Sequence, residues 1–256
     1  MLIIIISSFL VNYASAQQVP ITFSATTDEI IFDGKWSFRQ EWKQTSLHNE
    51  IYSDGHEMVV RTGYDYENLY VLIDFTTKAH NWKDIAFVCL DSNSDRGAKP
   101  SITTFCFTTL STSQYPKTLQ GGSPIAITGF FTSIPNNSNL VVIGGISDED
   151  DRYSRIPHES YEFKIPLDVI GRSDRYGFYV SVIDGETKKS YNWPQLVTPD
   201  RYPYIPPPNM WVEIFSPDQS IPEFSLPHYI LISTLLLSII VGKMIKLKNS
   251  KFFNRF

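Results

Sequence analysis

The chain lacks most of the short signatures that announce an enzyme. No Gly-x-Ser-x-Gly, no His-Glu-x-x-His and no phosphate-cradling glycine loop occurs in its 256 residues. These are the local patterns that serine hydrolases, zinc peptidases and nucleotide-dependent enzymes need for their chemistry. A Cys-x-x-Cys-His is also missing, which excludes covalent haem attachment. Basic residues are too few for a nucleic-acid partner: the net charge is -5 and the pI about 5.5. No long stretch keeps a 3.6-residue apolar period and no internal repeat is found, which argues against a helical bundle or a solenoid. Cysteine is scarce, with two residues, Cys89 and Cys106. Lys and Arg are absent from the first sixteen residues, and no acidic residue follows Glu223.

What is present at the two ends places the chain. Residues 1–16 are an apolar run closing in Ala14-Ser15-Ala16, the pattern of a secretory signal peptide with a small-residue cleavage site. Residues 226–246 read as a transmembrane helix and 247–256 as a basic cytoplasmic tail. Lys243, Lys246, Lys248, Lys251 and Arg255 lie at the end of the span or beyond it. A cationic excess on one side of a span puts that side in the cytoplasm. The apolar run is short for a bilayer crossing of about 20 residues, so Lys243 and Lys246 have to snorkel. The domain at 17–217 is therefore expected outside the cell, tethered to the membrane. Residues 218–225 form a linker containing Pro222-Glu223-Phe224. These three residues, placed directly before an apolar span and a basic tail, resemble the archaeal sorting signals called PEF-CTERM. That resemblance implies an archaeal source, recognition by an archaeosortase and removal of the tail. Ser225 stands where the PEFG form has Gly. A permanent single-pass anchor is the alternative.

Between the ends the chain reads as β throughout. Strand-like runs occur at 57–64, 69–76, 84–90, 102–110, 140–146, 161–165, 177–183 and 210–215, rich in Val, Ile, Phe and Tyr and bounded by Gly, Pro, Asp and Ser. Asp65-Tyr66-Glu67-Asn68 is a turn between the first two. Residues 167–170, between Pro166 and Gly171, predict one helical turn. Short strands with frequent turns predict an all-β fold, a jelly-roll-like antiparallel β-sandwich. If 84–90 and 102–110 pair as a hairpin, one register sets Cys89 opposite Cys106 and Asp91 opposite Thr104. An oxidising exterior then permits a disulfide.

Several segments in order resemble carbohydrate-binding family 9-like domains, within the DOMON-like group. They are Ile31-Phe32-Asp33-Gly34-Lys35-Trp36 with Glu41-Trp42, and Tyr64-Asp65-Tyr66-Glu67-Asn68-Leu69-Tyr70-Val71. Asp84-Ile85-Ala86-Phe87-Val88-Cys89-Leu90-Asp91 and Tyr161-Glu162-Phe163-Lys164-Ile165-Pro166-Leu167 follow. Tyr191-Asn192-Trp193-Pro194 and Pro208-Asn209-Met210-Trp211 close the set. The resemblance implies a β-sandwich, and function only weakly, because members bind sugars, bind haem or serve as surface modules.

Candidate site residues follow from those options. Sugar rings stack on aromatic side chains, and Trp82, Tyr191 and Trp193 sit in turn-rich segments where exposed rings are expected. Trp36, Trp42 and Trp211 fall on scaffold positions. A haem needs axial ligands, and Met58, Met210, His56 and His80 show no pairing; haem is not expected. Asp91, Asn93 and Asp95 have the alternate-residue oxygen spacing of a calcium loop, with Gly97 for the turn, though no Glu completes an EF-hand. Asp148-Glu149-Asp150-Asp151 reads as a solvated loop with weak cation binding as the minor option. Asn136-Asn137-Ser138 is a glycosylation sequon. The expected function is a membrane-tethered, non-catalytic module for carbohydrate or cell-surface glycan. The alternatives are a structural envelope or adhesion domain, and a b-type haem domain.

Overall fold

A computed structural model describes residues 17–23, 30–37, 40–76, 83–111, 116–125, 130–197 and 204–216. The chain separates into two units, 1–218 and 219–256, and the described residues all lie in the first. The signal peptide, the span at 226–246 and Pro222-Glu223-Phe224 fall outside the described residues, as do Trp82 and His80. Among the described residues no helix is long and apolar enough to cross a membrane.

Fourteen described strands form a sandwich. They are β1 Gln18–Pro20, β2 Thr22–Phe23, β3 Ser46–Ile51, β4 Glu57–Tyr64, β5 Asn68–Phe75, β6 Ile85–Asp91 and β7 Thr104–Leu110. β8 Lys117–Gln120, β9 Thr132–Ile134, β10 Val141–Ile146, β11 Glu159–Pro166, β12 Arg175–Ile183, β13 Ser190–Trp193 and β14 Val212–Phe215 complete them. One sheet runs β1-β14-β12-β6-β7-β8-β9, with β13 also on β12; the other runs β10-β11-β5-β4-β2, with β3 also on β4. The helical turn α1, Leu167–Ile170, follows Pro166 as expected.

The pairing departs from a purely antiparallel sandwich at the start of the domain. β1 pairs parallel to β14 and β2 parallel to β4. The chain passes from one sheet to the other across buried Ile21. Strands joined by a tight turn must run antiparallel. β1 and β2 meet partners distant in sequence, so no turn dictates their direction.

The main core lies between the sheets, where alternate residues of each strand point inward. Leu69, Val71, Ile73 and Phe75 of β5 face Ala86, Val88 and Leu90 of β6 within one apolar cluster. The register of β6 and β7 puts Cys89 opposite Cys106 and Asp91 opposite Thr104. The two cysteines form the expected disulfide, with Cα atoms 4.0 Å apart.

The outer faces are covered too. On the β6 sheet, Phe87, Cys89, Cys106, Tyr179 and Trp211 make a second apolar cluster. On the β5 sheet, Tyr70 and Leu72 are covered by Ile30, Trp36 and Trp42. This cover is held by Glu162 of β11. Its Oε2 accepts from the amides of Asp33 (2.9 Å) and Gly34 (2.8 Å), and its Oε1 from Trp42 Nε1 at 3.0 Å. Glu41, also buried, accepts from the amides of Ile31 and Ser37, both at 2.7 Å. Arg61 of β4 donates to the carbonyls of Trp42 and Thr45 and lies over the Trp36 ring. Gly34 has φ +88°, and a Cβ there would stand 2.6 Å from the Gly145 nitrogen. No side chain fits that contact between the cover and β10.

Burial pushes the Glu162 carboxyl up to about 8, against the opposing pull of its three donors. Glu162→Ala leaves three donors without their acceptor, at a cost of about 1–3 kcal/mol for each that is buried. Urea denaturation is expected to show that loss. A carboxyl with a raised folded pKa contributes stability that is full below its unfolded value near 4.3 and is lost as pH rises through about 8. Wild type should lose stability across that window more steeply than Glu162→Ala. Equal slopes would mean that Glu162 is already ionised in the folded protein throughout that window.

Candidate functional site

The sequence-expected aromatic residues Tyr191 and Trp193 lie on β13, an edge strand paired with the second half of β12. Being two apart, they point to the same side, into the core. Trp193 is 1% exposed and Tyr191 4%. Neither ring offers an open face for a sugar, which corrects the expectation of exposed platforms. Their segment was read as turn-rich, whereas it is a strand with inward-facing aromatics. Trp36, Trp42 and Trp211 are buried as scaffold positions.

Around these rings β3 and the loop joining it to β4 assemble a rim of polar groups. His48 stacks on Trp193, with centroids 3.9 Å apart and planes at 19°. Phe178 meets the same indole edge-on at 5.5 Å. Tyr191 is enclosed by Tyr52, Phe75 and His56 at 5.1, 4.9 and 5.0 Å. Its hydroxyl donates to Asp54 Oδ2 at 3.0 Å, and Lys189 pairs with the same oxygen while lying over the Tyr191 ring. His48 Nε2 meets Glu50 Oε1 at 2.7 Å, and Gln195 Nε2 donates to Glu50 Oε2, also at 2.7 Å. Tyr52 donates to the Asn192 carbonyl at 3.2 Å, tying the loop to β13.

Charge at the rim is uneven. The hydrogen bond from Lys189 is the main force holding Asp54 well below the usual carboxylate range. Burial, then Asp54, push the Tyr191 hydroxyl up; burial, then the Glu50 charge, push Tyr52 up. The tyrosines thus stay neutral donors beside ionised Asp54. Sequence reasoning missed His48, Glu50, Asp54, Lys189 and Gln195. β3, Ser-Leu-His-Asn-Glu-Ile, alternates half-buried and exposed residues, and too few of them are apolar to mark it as a strand.

The loop after β6 carries Asp91, Asn93 and Asp95. Asp95 Oδ1 accepts from the Gly97 amide at 2.9 Å and Oδ2 from Asn93 Nδ2 at 2.8 Å. Asp91 is 1% exposed; its Oδ1 accepts from Thr104 at 3.4 Å and its Oδ2 has no hydrogen-bond partner. Burial first, then the Asp95 charge, raise its pKa. The turn is made not by Gly97 but by Ser94 and Arg96, with φ 47° and 55°. Gly97 serves close approach instead, since a Cβ there would stand 3.0 Å from the Lys99 carbonyl.

Other expected residues are placed as follows. Asn136 is exposed in the loop after β9, but its Nδ2 donates to the Pro116 carbonyl at 2.7 Å and its Oδ1 accepts from Thr118 at 2.8 Å. Met58 is fully buried in the main core, with Tyr52 Oη 3.9 Å from its sulfur. Met210 lies in the short 3-10 turn Pro208–Met210, 42% exposed.

No family model matches the chain, and no curated protein matches it. Solved structures similar to it include two from one organism. One is a carbohydrate binding module family 9 (CBM9) from Caldicellulosiruptor kristjanssonii in complex with glucose. Its TM-score is 0.49 at 13% identity, covering 78% of this chain and 95% of that one. The other is such a module from the same organism in complex with cellotriose. Its TM-score is 0.48, again at 13% identity, covering 78% of this chain and 93% of that one.

Burial of the two rings makes them structural first. Trp193→Ala is expected to cost about 3–5 kcal/mol, as buried Trp truncations do. Tyr191→Phe removes only the bond to Asp54, a loss of about 1 kcal/mol. Denaturant midpoints of both variants check this; an unshifted midpoint for Trp193→Ala would show that the indole is not packed in solution.

Proposed function

We propose that the chain is an extracellular, membrane-tethered module that binds carbohydrate without catalysis. The observation that carries this reading is the rim at β3, the β3–β4 loop and β13. There Glu50, Asp54, His48, Lys189 and Gln195 gather above a floor of Tyr52, Tyr191 and Trp193. Sugar hydroxyls both donate and accept, so they suit a rim that mixes carboxylates, amide, amine and imidazole. A rigid aromatic floor keeps such polar groups aimed, because buried rings have few accessible rotamers. The Cys89–Cys106 disulfide suits an oxidising exterior. The tether rests on the sequence pattern at 226–246. Pro222, Glu223 and Phe224 are the proposed archaeosortase signal, and Asn136 the proposed glycan acceptor.

A glycan array followed by calorimetric titration of the best binder tests the site. Asp54→Ala and Gln195→Ala should each weaken binding about tenfold or more, about 1.4 kcal/mol, with little change in melting temperature for Gln195→Ala and a fall of a few degrees for Asp54→Ala, which also loses the Tyr191 bond. Both residues are exposed, and surface ion pairs contribute little to stability. Unchanged affinity in both variants would remove this rim as the site. Absence of any bound glycan would remove the function.

Calcium at Asp91, Asn93 and Asp95 belongs to the same proposal. The fit rests on the partnerless, buried Asp91 Oδ2 and on the left-handed turn at Arg96, the sixth loop position. A hundredfold excess of calcium over its dissociation constant stabilises the fold by about 2.7 kcal/mol. Melting with calcium against chelator should show that rise in wild type and lose it in Asp95→Ala. An unchanged melting temperature in wild type excludes the ion.

A further inference from the structure

The geometry points to a second, buried cation site, built by Asp74, Asp151 and His158, that takes one divalent transition-metal ion such as zinc. The three residues come from different places. Asp74 is near the end of β5, on the outer face; Asp151 closes the acidic run after β10; His158 directly precedes β11. The β5–β11 register, with Ser160 opposite Asp74, brings His158 to the carboxylate. All three are buried, and their ligand atoms lie within 4.8 Å of one another. His158 Nε2 contacts Asp74 Oδ1 directly and stands 3.9 Å from Asp151 Oδ1. Donors around one zinc ion stand at most about 4.2 Å apart, twice a bond of about 2.1 Å. His158 and Asp74 now touch, so an ion enters by parting that pair while Asp151 closes in by a few tenths of an ångström.

The tautomer of His158 favours a cation. Its Nδ1 lies 2.6 Å from the Ile156 carbonyl, which can only accept, and 2.8 Å from the Ser147 hydroxyl, which can do either, so a proton on Nδ1 satisfies both. The neutral ring then presents the Nε2 lone pair to a carboxylate oxygen. A proton must lie in that contact, and a metal ion that displaced it would take up the same lone pair and the same carboxylate oxygen. Metal-binding histidines are typically oriented by this kind of bond from the other nitrogen to a backbone carbonyl. Asp151 is held in the same way, its Oδ1 accepting from the amides of Tyr153 (2.7 Å) and Ser154 (3.1 Å).

Two further facts separate a metal from a proton. Asp74 Oδ2 and Asp151 Oδ2 are both buried without a hydrogen-bond partner, although Asp74 is 0% exposed and the Asp151 side chain 1%. Buried carboxylate oxygens are rarely left so. Charge also argues for the ion. Two carboxylates and an imidazolium leave one uncompensated negative charge indoors, whereas two carboxylates, a neutral imidazole and a divalent cation sum to zero. One nitrogen and two carboxylates suit zinc and its first-row neighbours better than calcium, which takes oxygen ligands alone.

The test uses the full chain, stripped with chelator and dialysed against zinc. Elemental analysis should find one zinc per chain, and melting at a hundredfold excess over the dissociation constant should shift the folding equilibrium about a hundredfold. Asp151→Asn keeps an oxygen for the Tyr153 and Ser154 amides, so it should fold, yet bind at least tenfold more weakly. His158→Gln should do the same, while Asp168→Asn, on the exposed side of α1, should bind as wild type. If either site variant fails to fold, cobalt absorption in wild type reports whether a nitrogen–oxygen site is filled. Zinc stoichiometry near zero, or equal binding in wild type and Asp151→Asn, overturns the site and leaves a proton shared among the three groups.

Discussion

Three N–H groups converging on the Glu162 carboxyl hold the covering segment against the second sheet. Without that junction, Tyr70 and Leu72 would present an apolar outer face to water, and the β5 sheet would be a half-buried surface. With it, the segment carrying Trp36 and Trp42 becomes a third layer. The other sheet is covered in a different way. Trp211 stacks over Tyr179 at 5.9 Å and donates its indole N–H to the Pro206 carbonyl at 2.9 Å. Apolar faces drive the covering and buried polar groups fix its register, because an unpaired buried donor costs more than a made bond returns.

The consequence for function is geometric. Among the described residues the central strands of both sheets are packed on both sides, so the candidate binding groups gather at the sheet ends and rims. β3, the β3–β4 loop and β13 form one such rim, where ionised Asp54 and neutral tyrosines sit side by side. The acidic run after β10 forms another feature, and its residues divide by direction. Asp148 pairs with Lys35 at the surface, whereas Asp151 turns inward to His158 and Asp74. Four acidic residues that look alike in sequence therefore do different things.

The proposed rim and the proposed metal site share one principle. In both, aromatic or backbone contacts orient the polar groups before any ligand arrives, so binding pays less to order them. Lys189 and Tyr191 aim Asp54; the Ile156 carbonyl and the Tyr153 and Ser154 amides aim His158 and Asp151.

Strand order in the sequence was legible wherever apolar residues dominate. The run expected at 57–64 is β4 residue for residue, and the hairpin carrying Cys89 and Cys106 has the expected register. The turn at Asp65 is made as its residue types demand, with Asp65 Oδ1 accepting from the Glu67 and Asn68 amides. β3, β8 and β9 escaped notice because these short strands at the margins of the sheets have few apolar residues and carry no period. The direction of β1 and β2 was invisible, since it depends on partners far along the chain. Tyr191 and Trp193 show the limit most clearly. Their chemical types were right for a site, but whether a ring faces solvent depends on which strand lies beside it. Local propensity, alternation and turn chemistry are properties of neighbours in sequence, and these the sequence alone determined. Burial, ring stacking and the meeting of Asp74, Asp151 and His158 depend on contacts between residues far apart in sequence, and only the tertiary structure decided them.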